Sequence, residues 1–338
     1  MMGKTKIEWA TDSWNPIRAR NKATGKIGWH CQHVTTGCEF CYAEGINKRL
    51  GTGLPFKPGH SKDIELFLDE KMLLAPLRWR KPRMVFVCSM TDLFADFIPD
   101  RWIDRVFAVM ALCPQHIFQV LTKRATRMRG YFETRRDGDP WAEAADAVAD
   151  MVGMKEHPVV LEPRDLPLPN VWLGISAERQ QEADERIPDL LAAPAAVRFV
   201  SAEPLLGPID FLKTHDRGGH WDWLTGSFED CREKSARAKL DWVICGGESG
   251  PGARPMNMAW ASSIVAQCKA ADVACFVKQM GPQATGPHSN GVNETTWQFK
   301  DRKGGDMAEW PEDLRVREFP RAYPASQRFA RANRRIRG

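Results

Sequence analysis

The chain has 338 residues, 43% of them hydrophobic and 27% charged, with a net charge of +5. That profile belongs to a soluble globular protein able to bury a substantial core in one large domain or two. No segment approaches a membrane span and the N-terminal stretch lacks a signal-peptide run, so a cytoplasmic location with no membrane contact is expected. The nine cysteines are then expected to be reduced, without a disulfide framework.

In chain order, the first chemically dense stretch is "WHCQHVTTGCEFCYAE", residues 29–44, which spaces Cys31, Cys38 and Cys41 as C-x6-C-x2-C with Phe40 before the last. After it come apolar runs that each end in a polar cluster. "MVFVCSMTDLF" starts at Met84, "HIFQVLTKR" at His116 and "NVWLGISAE" at Asn170; "VRFVSAEPLLGP" starts at Val197, "DWVICGGESGPGARP" at Asp241 and "VACFVKQMG" at Val273. Runs of that length, apolar throughout, predict strands covered on both faces of a parallel sheet. "PDRWIDRVFAVMALCP" and "MAWASSIVAQCKAADV" show helical spacing between them. With a strand around the opening motif, this predicts an α/β fold, a partial or near-complete parallel β/α (TIM-like) barrel of six or seven units. Its polar strand ends would converge on one rim.

Residues 134–169 and 213–240 interrupt the pattern and read as insertions in a barrel spanning residues 1–281. Residues 282–338 read as a C-terminal extension. The extension ends in "RFARANRRIRG", where Arg328, Arg331, Arg334, Arg335 and Arg337 stand without an acid. Such a tail can neutralise phosphates or be merely solvated. Trp9, Trp14, Trp29 and Trp221 fall in expected loops, where they could stack on bases or pack in a core.

Three uses of the cysteines stay open on spacing alone. His30 or His33 could complete a Cys3His zinc site, and Cys38 and Cys41 could form a redox pair. Three thiolates could also hold a [4Fe–4S] cluster with one iron left open.

"GCEFCYAE" resembles the second half of the radical SAM signature, C-x3-C-x-aromatic-C, although the first gap here is six residues. "IEWATDSWNP", "SMTDLF", "VWLGIS", "SAEPLLGPID", "GGESGPGARPM" and "FVKQMG", taken with the cysteine loop, resemble in order a phage and bacterial family. It is named after phage gene products thirty-seven and sixty-eight and is also described as three-Cys-motif, radical SAM-like. The resemblance implies a [4Fe–4S] cluster on Cys31, Cys38 and Cys41, S-adenosylmethionine on the open iron, and an electron donor as partner.

Candidate roles follow from the strand ends. Gly246 and Gly247 would let the backbone approach the cofactor, and Glu248 could accept from an ammonium or a ribose hydroxyl. In the superfamily such a GGE follows the second strand, whereas this one follows about the sixth. Phe40, Ser201, Glu203, Ser176 and Glu178 join the cofactor-binding set, although a glutamate ending a strand can equally cap a helix. Lys123, Arg124, Lys278 and Gln279 are candidates for substrate, and Asp92 for a substrate hydroxyl. Cys88 and Cys245 are candidate hydrogen-atom donors, although a buried cysteine is more often a small hydrophobe. Cys113, Cys231, Cys268 and Cys275 have no spacing that suggests a second cluster.

The expected function is radical modification or repair of a nucleic-acid base. A radical enzyme on a small nucleotide-like metabolite explains the same motif, and a non-catalytic, zinc-containing nucleic-acid-binding protein is the reading from a different class.

Overall fold

The computed structural model describes residues 2–135, 140–153, 166–214, 219–229, 234–287 and 294–321. The chain opens with β1 (Met2–Lys4) and β2 (Asp12–Trp14). It continues through β3 (Ile17–Asn21), β4 (Ile27–Gly28), α1 (Tyr42–Leu50), β5 (Ile64–Leu68) and α2 (Glu70–Leu73). Alternation follows: β6 (Met84–Val87), α3 (Asp100–Ala111), β7 (Ile117–Thr122), α4 (Ala125–Glu133), α5 (Pro140–Met151), β8 (Val171–Ser176), α6 (Gln180–Ala192) and β9 (Val197–Ala202). Four short strands come next, β10 (Leu212–Thr214), β11 (His220–Asp222), β12 (Ser227–Glu229) and β13 (Lys234–Ala236). Then come β14 (Trp242–Cys245), β15 (Met256–Asn257), α7 (Met258–Ala270), β16 (Ala274–Val277), β17 (Ala284–Pro287) and β18 (Glu294–Thr296).

The main sheet runs β1-β2-β6-β7-β8-β9-β14-β16, parallel throughout except for β1, which pairs antiparallel with β2. Seven parallel strands flanked by helices form a partial β/α barrel, as the apolar runs predicted. The sheet stays open: an antiparallel bridge between Phe276 and Arg317 covers the β16 edge.

Period-two alternation divides the core. Val85, Val87, Val120, Leu173, Ile175, Val200, Val243 and Val277 face the helices, where α3 brings Ile103, Val106, Phe107 and Met110 at helical spacing. The alternate residues Phe86, Trp172, Phe199, Trp242, Ile244 and Phe276 fill the inner face around Trp9. Its indole lies 4.7 Å from the Phe86 ring and 6.4 Å from that of Trp242. Of the two uses open to Trp9, Trp14 and Trp29, core packing is the one realised: they are 3%, 0% and 5% exposed. Burying an indole outweighs the local turn signals around it. Trp221 is half-buried, with the Arg237 guanidinium 5.4 Å from its ring.

The described residues of the insertion expected at 213–240 contribute, with Leu212, to the four-stranded antiparallel sheet β10–β13. Within 134–169, α5 packs on α3, with Trp141 stacked on Phe107 at 5.3 Å. The five-arginine tail lies outside the described residues. No described helix is long and apolar enough to cross a membrane.

Candidate functional site

Beyond the aromatic plug the inner face turns polar. Ser176 in β8 and Ser201 in β9 continue the alternation of Trp172 and Phe199 on the inner face; Glu178 and Glu203 follow just past those strands, and Lys278 just past β16. These residues sit at the carboxyl ends of parallel strands, the usual place for ligands in such sheets.

The cysteine loop lies across this mouth. It leaves β4, makes a single 3-10 turn at Thr36–Cys38 and enters α1 directly after Cys41. Bonds from four strand ends hold it. Beyond β6, Thr91 Oγ1 donates to the His30 carbonyl at 2.5 Å, and Tyr42 Oη donates to the Ser89 carbonyl at 2.9 Å. After β7, Arg124 Nη2 donates to the Gln32 carbonyl at 3.2 Å. After β8, Glu178 accepts from Thr35 Oγ1 at 3.0 Å. After β14, Arg254 Nη1 donates to the Thr36 carbonyl at 3.0 Å, and its guanidinium lies 5.2 Å from the Phe40 ring. Gly37 passes so close to Glu178 that a Cβ there would stand 2.2 Å from its carboxylate.

Cys31 and Cys41 pack on one small cluster formed by Trp29, Ala43, Phe56 and Met90. Burial pushes the Cys31 thiol up to about 12; nearby Asp92 and Cys41 add to the rise and Arg124 opposes it. Burial also raises Cys41, against the amides of Ala43 and Glu44 at the start of α1 and the charge of Lys123. Cys38 is near enough to repel its thiolate. Among the described residues, no three His, Cys, Asp or Glu side chains are arranged to hold a metal ion. Both histidines offered as a fourth zinc ligand are engaged elsewhere. His30 is buried against Phe56 and Phe97, and burial, aided by His60, lowers it to about 4. His33 Nε2 meets Glu44 Oε2 at 2.8 Å.

The rim cations are all paired with rim carboxylates. Glu178, fully buried, contacts Lys123 Nζ and lies 3.2 Å from Arg186 Nη1; burial alone would raise this carboxyl, but the two cations hold it below its usual range. Arg124 meets Asp92 at 3.0 Å, Arg254 meets Glu248 at 2.7 Å, and Lys278 meets Glu203 at 2.9 Å. Glu203 also accepts from Ser201 Oγ at 3.2 Å. Lys123 and Arg124, expected as substrate cations, are thus committed to anchoring.

Other expected site residues prove to hold the frame. Asp92 Oδ1 accepts from Thr122 Oγ1 and the Phe94 amide, and Oδ2 from the Lys123 amide and Arg124, which ties β6 to β7. Gly246 and Gly247 are required by the neighbouring chain: added Cβ atoms would lie 2.9 Å from the Gln279 carbonyl oxygen and 2.1 Å from that of Met280. Gln279 is buried and donates to the Gly247 carbonyl. Cys88 is buried in the helix-facing core at a left-handed φ of 55°. Cys245 also faces the helices, where it and Cys268 both hydrogen-bond to Cys275. Neither thiol belongs to the inner-face cluster that leads to the mouth. Thr35, Gly37, Tyr42, Arg186 and Arg254 escaped sequence reasoning, because their roles exist only once the loop meets the strand ends.

The family described as a protein of unknown function, DUF5131, matches residues 4–311. No curated protein and no solved structure matches the chain. The match corrects the resemblance to the phage three-Cys-motif, radical SAM-like family: shared short motifs gave a family that the longer match does not. The chain belongs to the DUF5131 family of proteins of unknown function.

Proposed function

We propose that this protein is a radical S-adenosylmethionine enzyme that modifies or repairs a nucleic-acid base, with Cys31, Cys38 and Cys41 holding a [4Fe–4S] cluster. The observation that carries this reading is placement: three cysteines on one loop, drawn across the mouth of a parallel partial barrel and bonded to four of its strand ends. The donor set fits. Each thiolate of a cluster binds a different iron, so the sulfurs stand farther apart than around a single ion, and a geometry unsuited to one ion does not oppose it. Arg124, Lys123 and the α1 amides lie where thiolate charge needs offsetting.

When bound, such a cluster with S-adenosylmethionine supplies a 5'-deoxyadenosyl radical that takes a hydrogen atom from substrate, and it requires an electron donor. This chain's residues orient and exclude. The paired rim suits a zwitterion: Glu248 or Glu203 can take an ammonium while the cation beside it, Arg254 or Lys278, turns to a carboxylate. The aromatic plug closes the barrel below. Phe40 and Tyr42, 38% and 49% exposed, offer rings for a base to stack on. A small nucleotide-like metabolite is the second reading, favoured by the pairing of Lys123, Arg124, Arg254 and Lys278, which leaves the mouth poor in free charge for a polymer's phosphates.

The test is iron and sulfide analysis with EPR on anaerobically purified protein, reduced with and without S-adenosylmethionine. About four irons per chain and a signal that shifts with the cofactor are expected. A colourless protein retaining one zinc after reconstitution overturns the enzyme reading.

A further inference from the structure

A polymeric substrate needs its phosphates held away from that neutralised mouth, and one face offers the charge. Residues 17–62, which contribute β3, β4, the cysteine loop and α1, carry eight Lys or Arg and two Asp or Glu. Their net of +6 exceeds the +5 of the whole chain. Arg20, Lys22, Lys26, Lys48, Arg49, Lys57 and Lys62 are exposed there. Arg20 pairs with Glu65, Lys48 pairs with Glu44 and Lys22 donates to the Lys62 carbonyl, whereas Lys26, Arg49, Lys57 and Lys62 make no side-chain ion pair among the described residues.

The Gly28 backbone lies against Gly51 and Thr52, which brings β4, with Lys26 just before it, to the end of α1, where Arg49 and Leu50 lie. Lys48 and Lys57 line a cleft of about 620 Å³ whose wall also includes Thr35, Thr36 and Glu39 of the cysteine loop. A basic run is most often a solvated face. Here apolar groups are interleaved with it: of seven large apolar side chains exposed among the described residues, Ile27, Val34, Phe40, Tyr42 and Leu50 all lie on this segment. Cations alternating with exposed apolar and aromatic rings form the surface that tracks a single strand, with charge on the backbone and stacking on the bases.

We infer that this face is a track for the phosphodiester backbone of a single-stranded nucleic acid, running along the cleft to Phe40 and Tyr42 at the mouth. The inference rests on the nucleic-acid half of the proposed function. Four unpaired cations correspond to about four neutralised phosphates, hence a slope of about −2.8 in log affinity against log salt, or a loss of about 50-fold between 50 and 200 mM.

The experiment is fluorescence anisotropy of labelled mixed-sequence DNA and RNA 20-mers with the full chain across that salt range. It is repeated with Lys26→Gln/Arg49→Gln/Lys57→Gln and with a tail variant, Arg334→Gln/Arg335→Gln/Arg337→Gln. The face variant should keep its thermal midpoint, flatten the slope to about −0.7 and bind on the order of 100-fold more weakly at 100 mM salt. Wild-type affinity in the face variant overturns the track, with loss confined to the tail variant moving it to the tail. Absence of binding by the wild type at 50 mM salt also overturns it. Displacement by poly-glutamate at equal charge concentration overturns it in favour of an acidic protein partner. Iron analysis stays independent: a cluster-bearing chain that binds no oligonucleotide leaves the metabolite enzyme standing, while an oligonucleotide-binding chain without iron keeps the track and removes the radical chemistry.

Discussion

Two trios of cysteines in this chain have opposite surroundings. Cys31, Cys38 and Cys41 come from one loop at the strand ends, beside Arg124, Lys123 and the amides that open α1. Cys245, Cys268 and Cys275 come from β14, α7 and β16, are at most 2% exposed, and have one another for partners. Burial raises Cys31 and Cys41, with Arg124 and Lys123 opposing the rise, whereas hydrogen bonds from Cys245 and Cys268 lower Cys275. The two trios thus differ in place: one lies on a loop at the strand ends, the other inside the helix-facing core.

Substitution should break that comparison most visibly in metal content. Cys38→Ser should reduce iron from about four per chain to below one after reconstitution, while Cys268→Ser leaves it unchanged. Equal iron in both proteins would remove the assignment of the first trio.

Next in size is the pin beneath the loop. Glu178→Gln leaves Lys123 and Arg186 facing a neutral amide in a buried setting, which should cost about 3 kcal/mol in urea unfolding. Native alkylation followed by mass mapping should show Cys38 reacting faster while Cys245 and Cys275 stay protected. Gly37→Ala acts from the loop side, because its methyl would meet the Glu178 carboxylate. A loss of about 1–3 kcal/mol is expected, again with faster labelling at Cys38.

The core trio should respond in the other sense. Cys275→Ala should cost about 1 kcal/mol through lost packing and leave the labelling of Cys31, Cys38 and Cys41 unchanged. The smallest effect is acid dependence. Lys123 and Arg186 hold the Glu178 carboxyl below its usual range, against the effect of burial. It therefore contributes stability above the unfolded carboxylate pKa, and that stability is lost as pH falls through the folded value. The gap in urea midpoint between wild type and Glu178→Gln should accordingly narrow on moving from pH 7 into the acid range. A gap that widens there would show that Glu178 is not the ionised anchor.

The fold was legible where the sequence is periodic. All six apolar runs, from Met84 through Val273, became parallel strands, because a strand covered on both faces must be apolar throughout. The cysteine loop and the polar strand ends were legible for the same reason: residue type and strand order together say which end carries them. Much was not. Gly246 and Gly247 read as ligand glycines, yet the chain after β16 demands them. Lys123 and Arg124 read as substrate cations, but their carboxylate partners come from other strand ends.

What the sequence determined by itself is therefore local and periodic: the strands, the helices α3 and α7, the spacing of Cys31, Cys38 and Cys41, and the surplus of positive charge in residues 17–62. Tertiary structure alone decided the contacts between distant segments. It laid the loop over the mouth through Thr35, Gly37 and Arg254, neutralised the rim, and gathered Cys245, Cys268 and Cys275 into one core. The physical reason is that periodicity records which face of an element is buried, whereas pairing across the sheet depends on how elements distant in sequence come together.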